Sequence, residues 1–411
     1  MKLRVLVIVA ALVTLTAAGT AFASGAREAA PAQQDSGLPS NVAAWLREHQ
    51  VGPFMEDATD YDALYQRALQ EPGPVTVYAS SSRGPAALAQ GFFERFPGIE
   101  VEWITTGTAT GIERVITEQE TGAYTADVLF VSDFPTQVSV LNAAHMLFSW
   151  VPSELRGVIP REYQQPLLAQ RYEARVVFFN DHNQSTAPIE SWWDLTTPAW
   201  NGRVVMEDPR VSGSTLDLMT TFVLNADEMA AEYRRVFGRD IQLTTPNAGY
   251  EFVKRLAGNN PVLIARDSEG RFVAEPQSNP PVAVSFAFSR IRDAGDPSHG
   301  NLSWNVATEL QPKIGMLYPS GANIPFRAPN PNGAKLVISW LLGDEQGGGG
   351  MTPWNVPGNW PSRIDVRDVP DHPFQPGKAW AVADLDFWLM DPAGLFAIQD
   401  QVLEFVHENF R

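Results

Sequence analysis

From residue 75 onward one pattern recurs: a short β-branched or aromatic run, a loop of glycine and hydroxyl residues, then a helical stretch. Val75-Thr76-Val77-Tyr78 predicts a strand, Ser80-Ser81-Ser82-Arg83-Gly84-Pro85 a loop, and 86–96 a helix. A strand over 99–104 leads through Thr105-Thr106-Gly107-Thr108-Ala109-Thr110-Gly111 into a helix over 112–120, and 127–131 reads as the next strand. The rhythm resumes with strands over 175–180, 203–206, 282–286 and 313–318. A short helix is expected over 191–195, one from Ser212 to 224 and one over 331–342. Strand, loop and helix in alternation demand a mostly parallel sheet with crossover helices on its faces, an α/β fold. Two short helices over 42–69 are expected outside this body. Loops are expected over 347–376, and helical segments around Phe387 and over 395–410.

The start of the chain bears on compartment. Lys2 and Arg4 precede an apolar run over 5–18 and then Ala21-Phe22-Ala23, a small-x-small site. This predicts a signal peptide over 1–23, cleaved near Ala23. The rival reading, an anchor helix, is disfavoured by the shortness of the run. Residues 24–74 read as a tether and helical extension, and no membrane insertion is expected after cleavage. There are no cysteines, hence no disulfide framework, thiolate site or lipid-bearing cysteine, which points to a free protein in the periplasm. The formal charge is −17, and 28 basic against 47 acidic side chains, or −19, once Lys2 and Arg4 are removed. That balance argues against nucleic acid as a partner, yet leaves room for a local site of opposite sign. The length suggests two lobes.

Four strand-to-helix loops share one chemistry: Ser80-Ser81-Ser82, 105–111, Ser212-Gly213-Ser214-Thr215 and Asp267-Ser268-Glu269-Gly270. Free N–H groups at a helix start attract anions, glycine allows close approach, and hydroxyls donate. In an open α/β sheet such loops gather at the carboxyl ends of the strands, where ligands bind. Ordinary helix capping explains any one loop equally well. Tyr78, Ser80, Ser81, Ser82, Thr108, Thr110, Ser212, Ser214, Thr215, Ser268 and Arg290 are the candidate ligand contacts, Arg290 doubling as a plausible surface ion pair. Trp192, Trp193, Trp354 and Trp360 either wall an organic ligand or fill core. The six histidines lack metal-ligand spacing, no nucleophile elbow or phosphate loop occurs, and the acids Glu207 and Asp208 read as a solvated turn. No catalytic residue, metal or cofactor is expected.

Several segments in order resemble one family. Tyr61-Asp62-Ala63-Leu64 leading to the first strand, 106–111, Ala126-Asp127-Val128-Leu129, Ser191-Trp192-Trp193-Asp194-Leu195 with Pro198-Ala199-Trp200-Asn201-Gly202-Arg203-Val204, and 328–336 are similar to the type II periplasmic binding proteins of ABC importers. The closer branch includes carriers of ferric iron, phosphorylated or phosphonate compounds and thiamine, and the resemblance spans roughly 60–365. It implies two α/β lobes, 75–180 plus 311–411 and 181–310, joined by crossover strands near 176–180 and 310–317. It also implies hinge closure on a small solute, delivery to an inner-membrane ABC permease, a monomeric carrier and no enzyme activity. Iron-binding members carry an adjacent tyrosine pair where this chain has Ser285-Phe286-Ala287-Phe288-Ser289-Arg290, so the expected solute is an anionic organic compound, phosphorylated ones included. The alternatives are a ferric-iron carrier and, in another class, an exported α/β hydrolase. A ligand-sensing role would look the same in sequence.

Overall fold

Twelve strands order the chain: β1 Val75–Ala79, β2 Val101–Thr105, β3 Val128–Val131, β4 Leu147–Phe148, β5 Ala169–Asn180, β6 Val204–Glu207, β7 Val262–Ile264, β8 Val282–Ala287, β9 Trp304–Val306, β10 Gly315–Pro325, β11 Asn359–Pro361 and β12 Trp388–Leu389. The structure is a computed structural model that describes residues 37–366 and 370–410. The expected signal segment, its cleavage position and the tether up to residue 36 lie outside the described residues. Residues 39–411 form one compact unit.

The main sheet runs β2-β1-β3-β10-β5-β8-β6-β7. Its two ends are parallel, β1 beside β2 and β3, and β6 beside β7 and β8. The long strands β5 and β10 join them as an antiparallel pair, with Gly315 facing Val176 and Tyr318 facing Glu173. This is the α/β architecture of two parallel half-sheets linked by two crossover strands. The β1 residues are all buried, as a near-continuous apolar strand covered on both faces requires. Alternation along β5 serves two cores: Val176 and Phe178 fill one, Val177 and Phe179 the other, while the irregularity at Ser285 of β8 sends Val284 and Phe286 to different cores. The close approach of β10 needs Gly315, because a Cβ there would stand 2.0 Å from the Arg175 carbonyl oxygen.

Several elements depart from the sequence expectation. The helix expected over 86–96 is two pieces, Gly84–Leu88 and Phe92–Arg95, broken at Gly91 with φ +115°. The Trp340 indole Nε1 donates to the Ala87 carbonyl at 2.8 Å beside this break. The helix Thr108–Thr121 starts four residues early because Gly107 supplies the extended residue before it. Among the described residues around Phe387 the only helical piece is the 3-10 turn Val382–Asp384: Trp388 and Leu389 pair with β10, and Phe387 packs on Trp360 and Phe288. Short apolar runs do not separate strand from helix by period alone. β5 starts at Ala169 rather than 175, and β10 continues to Pro325.

The N-terminal helices Ser40–His49 and Tyr61–Ala68 belong to the packed body. Lys335, 1% exposed, has its ammonium 3.2 Å from Glu56, whose carboxylate also accepts from Trp150 Nε1. Burial pushes Lys335 down to about 8, with Glu56 opposing. The C-terminal helix Pro392–Asn409 packs on Gly213–Leu224 and Ala248–Gly258, and also on Phe134–Thr136 and Gln137–Asn142. It therefore ties together elements from both half-sheets. Among the described residues no helix is long and apolar enough to cross a membrane.

Candidate functional site

One face of β5 is polar. Arg171, Glu173 and Arg175 alternate with Tyr172, Ala174 and Val176, which lie in the core. In register, Glu173 is flanked by Tyr318 of β10 and Asn359 of β11. Two cavities share this floor and both touch Ser132, at the end of β3.

The first, about 310 Å³, is bordered by Ser80, Ser81, Ser82 and Arg83 after β1, by Arg171 and Glu173, and by Asp267, Arg290 and Arg292 opposite. Trp103 holds the serine loop, its Nε1 donating to the Ser81 carbonyl at 2.9 Å. The Arg171 guanidinium carbon stands 5.3 Å from the ring centroids of both Phe130 and Trp354, which meet edge-on, and its Nη2 is 2.6 Å from Glu173. Arg83 Nη1 donates to the Pro353 carbonyl at 3.0 Å. Burial, then the nearby Arg292 and Arg171 charges, push Arg83 down to about 10. Arg290 pairs with Asp267 at 2.7 Å and Asp293 at 3.5 Å. Burial works against ionising Glu173, but Arg171 and the Tyr318 hydroxyl hold its carboxyl below the usual range. Four arginines thus face two carboxylates, so this cavity inverts the sign of the whole chain. Asn359 borders it, 3% exposed, with no partner for its Oδ1.

The second cavity, about 440 Å³, is bordered by Thr108 and Ser214 at two helix starts and by Asp133, Arg175, Asp217, Tyr318 and Gln399. Arg175 is turned by a bulge in β8: Ser285, at φ +62°, presents its carbonyl to Arg175 Nη1 at 3.1 Å. Glu207 lies 3.7 Å from the same guanidinium. Burial, then Asp133, push the Asp217 carboxyl up to about 8, against Arg175 and the amide of Gln399.

Of the sequence candidates, Ser80, Ser81, Ser82, Thr108, Ser214 and Arg290 border these cavities. Tyr78 does not: its hydroxyl donates to Glu118 at 2.6 Å. Thr215 is buried and donates to Ser285 Oγ at 3.0 Å, Ser212 donates to Glu207 at 2.6 Å, and Thr110 and Ser268 line neither cavity. Glu207 is no solvated turn residue. It is 8% exposed, ends β6 and accepts from Ser212 Oγ and the Asp267 N–H. Trp192, Trp193 and Trp360 are core, while Trp354 edges the arginine cavity. Arg83, Arg171, Glu173, Arg175, Asp133, Asp217 and Gln399 were not foreseen. The alternation of charge at 171, 173 and 175 is the sequence signal that could have found the floor. Among the described residues no group of three His, Cys, Asp or Glu side chains could hold a metal ion. A larger cavity of about 840 Å³ near Glu190, Arg235 and Trp380 gathers none of the candidates.

Residues 78–348 match the family described as bacterial extracellular solute-binding protein. No curated protein matches the chain. Among solved structures, the iron-bound HitA of Pseudomonas aeruginosa is similar at 18% identity and TM-score 0.60, over 82% of this chain and 99% of that one. The periplasmic binding protein P5PA aligns at 17% and 0.59, over 83% and 100%. The substrate-binding protein of an ABC transporter from Agrobacterium tumefaciens aligns at 15% and 0.57, over 82% and 94%. At these identities the likeness is one of fold.

Proposed function

The chain belongs to the bacterial extracellular solute-binding proteins, the solute-capturing components of ABC importers, and from that premise we propose that its own solute is a small organic anion held in the arginine cavity. The observation that carries this is four guanidiniums, Arg83, Arg171, Arg290 and Arg292, against two carboxylates around one cavity. Phosphorylated and phosphonate compounds suit it, since a planar guanidinium pairs bidentately with such oxygens. The serine loop adds hydroxyl donors. The lobes are proposed as 75–180 plus 311–411 and 181–310, with the terminal helix spanning onto both. Closure of one on the other around the solute is a population shift toward the state in which both sides touch it. The protein is proposed to be exported to the periplasm by its signal segment, to act there as a monomer without catalysis, and to dock on an inner-membrane permease.

A second reading, ferric iron, is favoured by neighbours such as iron-bound HitA. Against it, Phe286 and Phe288 are buried at the positions comparable to the tyrosine pair, and four arginines repel a trivalent cation. The test is a thermal-shift screen of protein unfolded and refolded to strip bound solute, with phosphonates, sugar phosphates, thiamine forms and ferric ion. Ligand at about 1,000 times its Kd stabilises by about 4 kcal/mol. A shift with an anionic compound, lost in Arg83→Gln, and no turnover, is expected. A ferric-only shift overturns the reading.

A further inference from the structure

Inside the arginine cavity one buried polar group goes unanswered. We infer, resting on the anion reading above, that the solute also carries a hydroxyl a few bonds from its anionic group, and that Asn359 is the residue that receives it. Asn359 is 3% exposed, borders the cavity and leaves its carboxamide Oδ1 without a partner. Buried acceptors of this kind are rare unless something else supplies the donor.

Strand register places the residue. Asn359 of β11 stands opposite Glu173 of β5, Trp360 opposite Tyr172 and Pro361 opposite Arg171. Opposed residues of an antiparallel pair share a face. Asn359 therefore joins the row of Arg171 and Glu173, while Trp360 goes with Tyr172 into the core. The backbone here is closely held. Asn359 N donates to the Val356 carbonyl at 3.0 Å, and a Cβ on Gly358 would stand 2.6 Å from the Phe288 carbonyl carbon. That approach brings β11 against the turn that carries Arg290 and Arg292. The terminal torsion of an asparagine is broad, so its oxygen turns toward an arriving donor at little cost.

The protein's own donors nearby are directed elsewhere. Arg171 bonds Glu173 and, at 3.0 Å, Gln170 Oε1; Arg83 bonds the Pro353 carbonyl and Arg290 bonds Asp267. Trp354 Nε1 donates to Ser81 Oγ at 3.3 Å. Charge then decides which solute group fits. An ammonium would join four guanidiniums that already crowd one another, since burial and then Arg292 and Arg171 push Arg83 down to about 10. An ionised phosphonate or carboxylate oxygen has no proton to donate. A hydroxyl donates to Oδ1 and adds no charge. The cavity, about 310 Å³, is at the small end of ligand sites, so hydroxyl and anion share one short skeleton, as in hydroxyalkylphosphonates and polyol phosphates.

The test is calorimetric titration of refolded protein with ω-hydroxyalkylphosphonates of two to four carbons and with glycerol phosphate. Each is paired with its counterpart lacking hydroxyls, the alkylphosphonate of the same length or propyl phosphate. At least one hydroxylated compound is expected to bind about tenfold more tightly than its counterpart, the scale of one hydrogen bond to a group otherwise left unpaired. In Asn359→Leu, similar in size and without polar atoms, that ratio is expected to collapse toward one. In Arg171→Lys both members of the pair weaken and the ratio persists. Equal affinities within every wild-type pair, a result that needs no variant, or an unchanged ratio in Asn359→Leu, overturn the inference and leave the anion reading standing. If no member of any pair binds, the anion reading falls and this inference with it.

Discussion

Arg171 concentrates the chemistry of the cleft in one side chain. Its guanidinium lies beside the edge-on pair Phe130 and Trp354 and is bonded to Glu173, so it is oriented before any solute arrives. Arg171→Lys keeps the charge and loses the plane. Titration with an anion that binds the wild type is expected to show affinity lowered about tenfold; an unchanged Kd contradicts this account of Arg171. Asp217 gives a pH-dependent prediction. Its carboxyl ionises near 3.8 when unfolded and near 8 when folded, pushed up by burial and then by Asp133. Between those values the folded protein holds a proton that the unfolded chain has released, so this group's contribution to stability falls as pH rises and its cost is complete above about 8. Asp217→Asn cannot ionise. Its melting temperature is expected to match the wild type near pH 4 and to exceed it near pH 9, by scanning calorimetry. A constant offset across pH sinks this account of Asp217.

At the scale of elements, the site depends on helices and strands meeting closely. The helix Ala248–Gly258 crosses Gly213–Leu224 at Gly249, where a Cβ would stand 2.1 Å from the Phe222 carbonyl oxygen. Gly249→Ala is therefore expected to destabilise by about 1–3 kcal/mol in urea unfolding, as overpacking does. A neutral result would mean the helices separate freely. The same scale shows what sequence reveals and what it hides. The helix from Ser212 to Leu224 was legible because a capping-type residue precedes a long apolar run. The strands β1, β3 and β8 were legible from β-branched runs between turn residues. The break at Gly91, φ +115°, had a local sign in the glycine itself, but a lone glycine in an apolar run does not by itself stop a helix. The strand at Trp388 was hidden because a tertiary contact, pairing with β10, decides it.

Across the whole molecule, the serine and threonine loops announced one rim of the cleft, since local spacing places them at helix starts. The floor was not announced. Arg171, Glu173 and Arg175 become a row only once β5 is known to begin at Ala169, and Gln399 arrives from a helix far along the chain. Net charge misleads in the same way, because an acidic chain can still bring four of its arginines to one cavity. The central claim is that this cavity holds one organic anion. Native mass spectrometry of the refolded protein with the phosphonate and sugar-phosphate panel, beside an Arg83→Gln/Arg171→Met double variant, tests it most directly. One equivalent of a panel anion on the wild type, absent from the variant, is the expected result. An iron adduct, or an anion adduct equally present on both proteins, would contradict it.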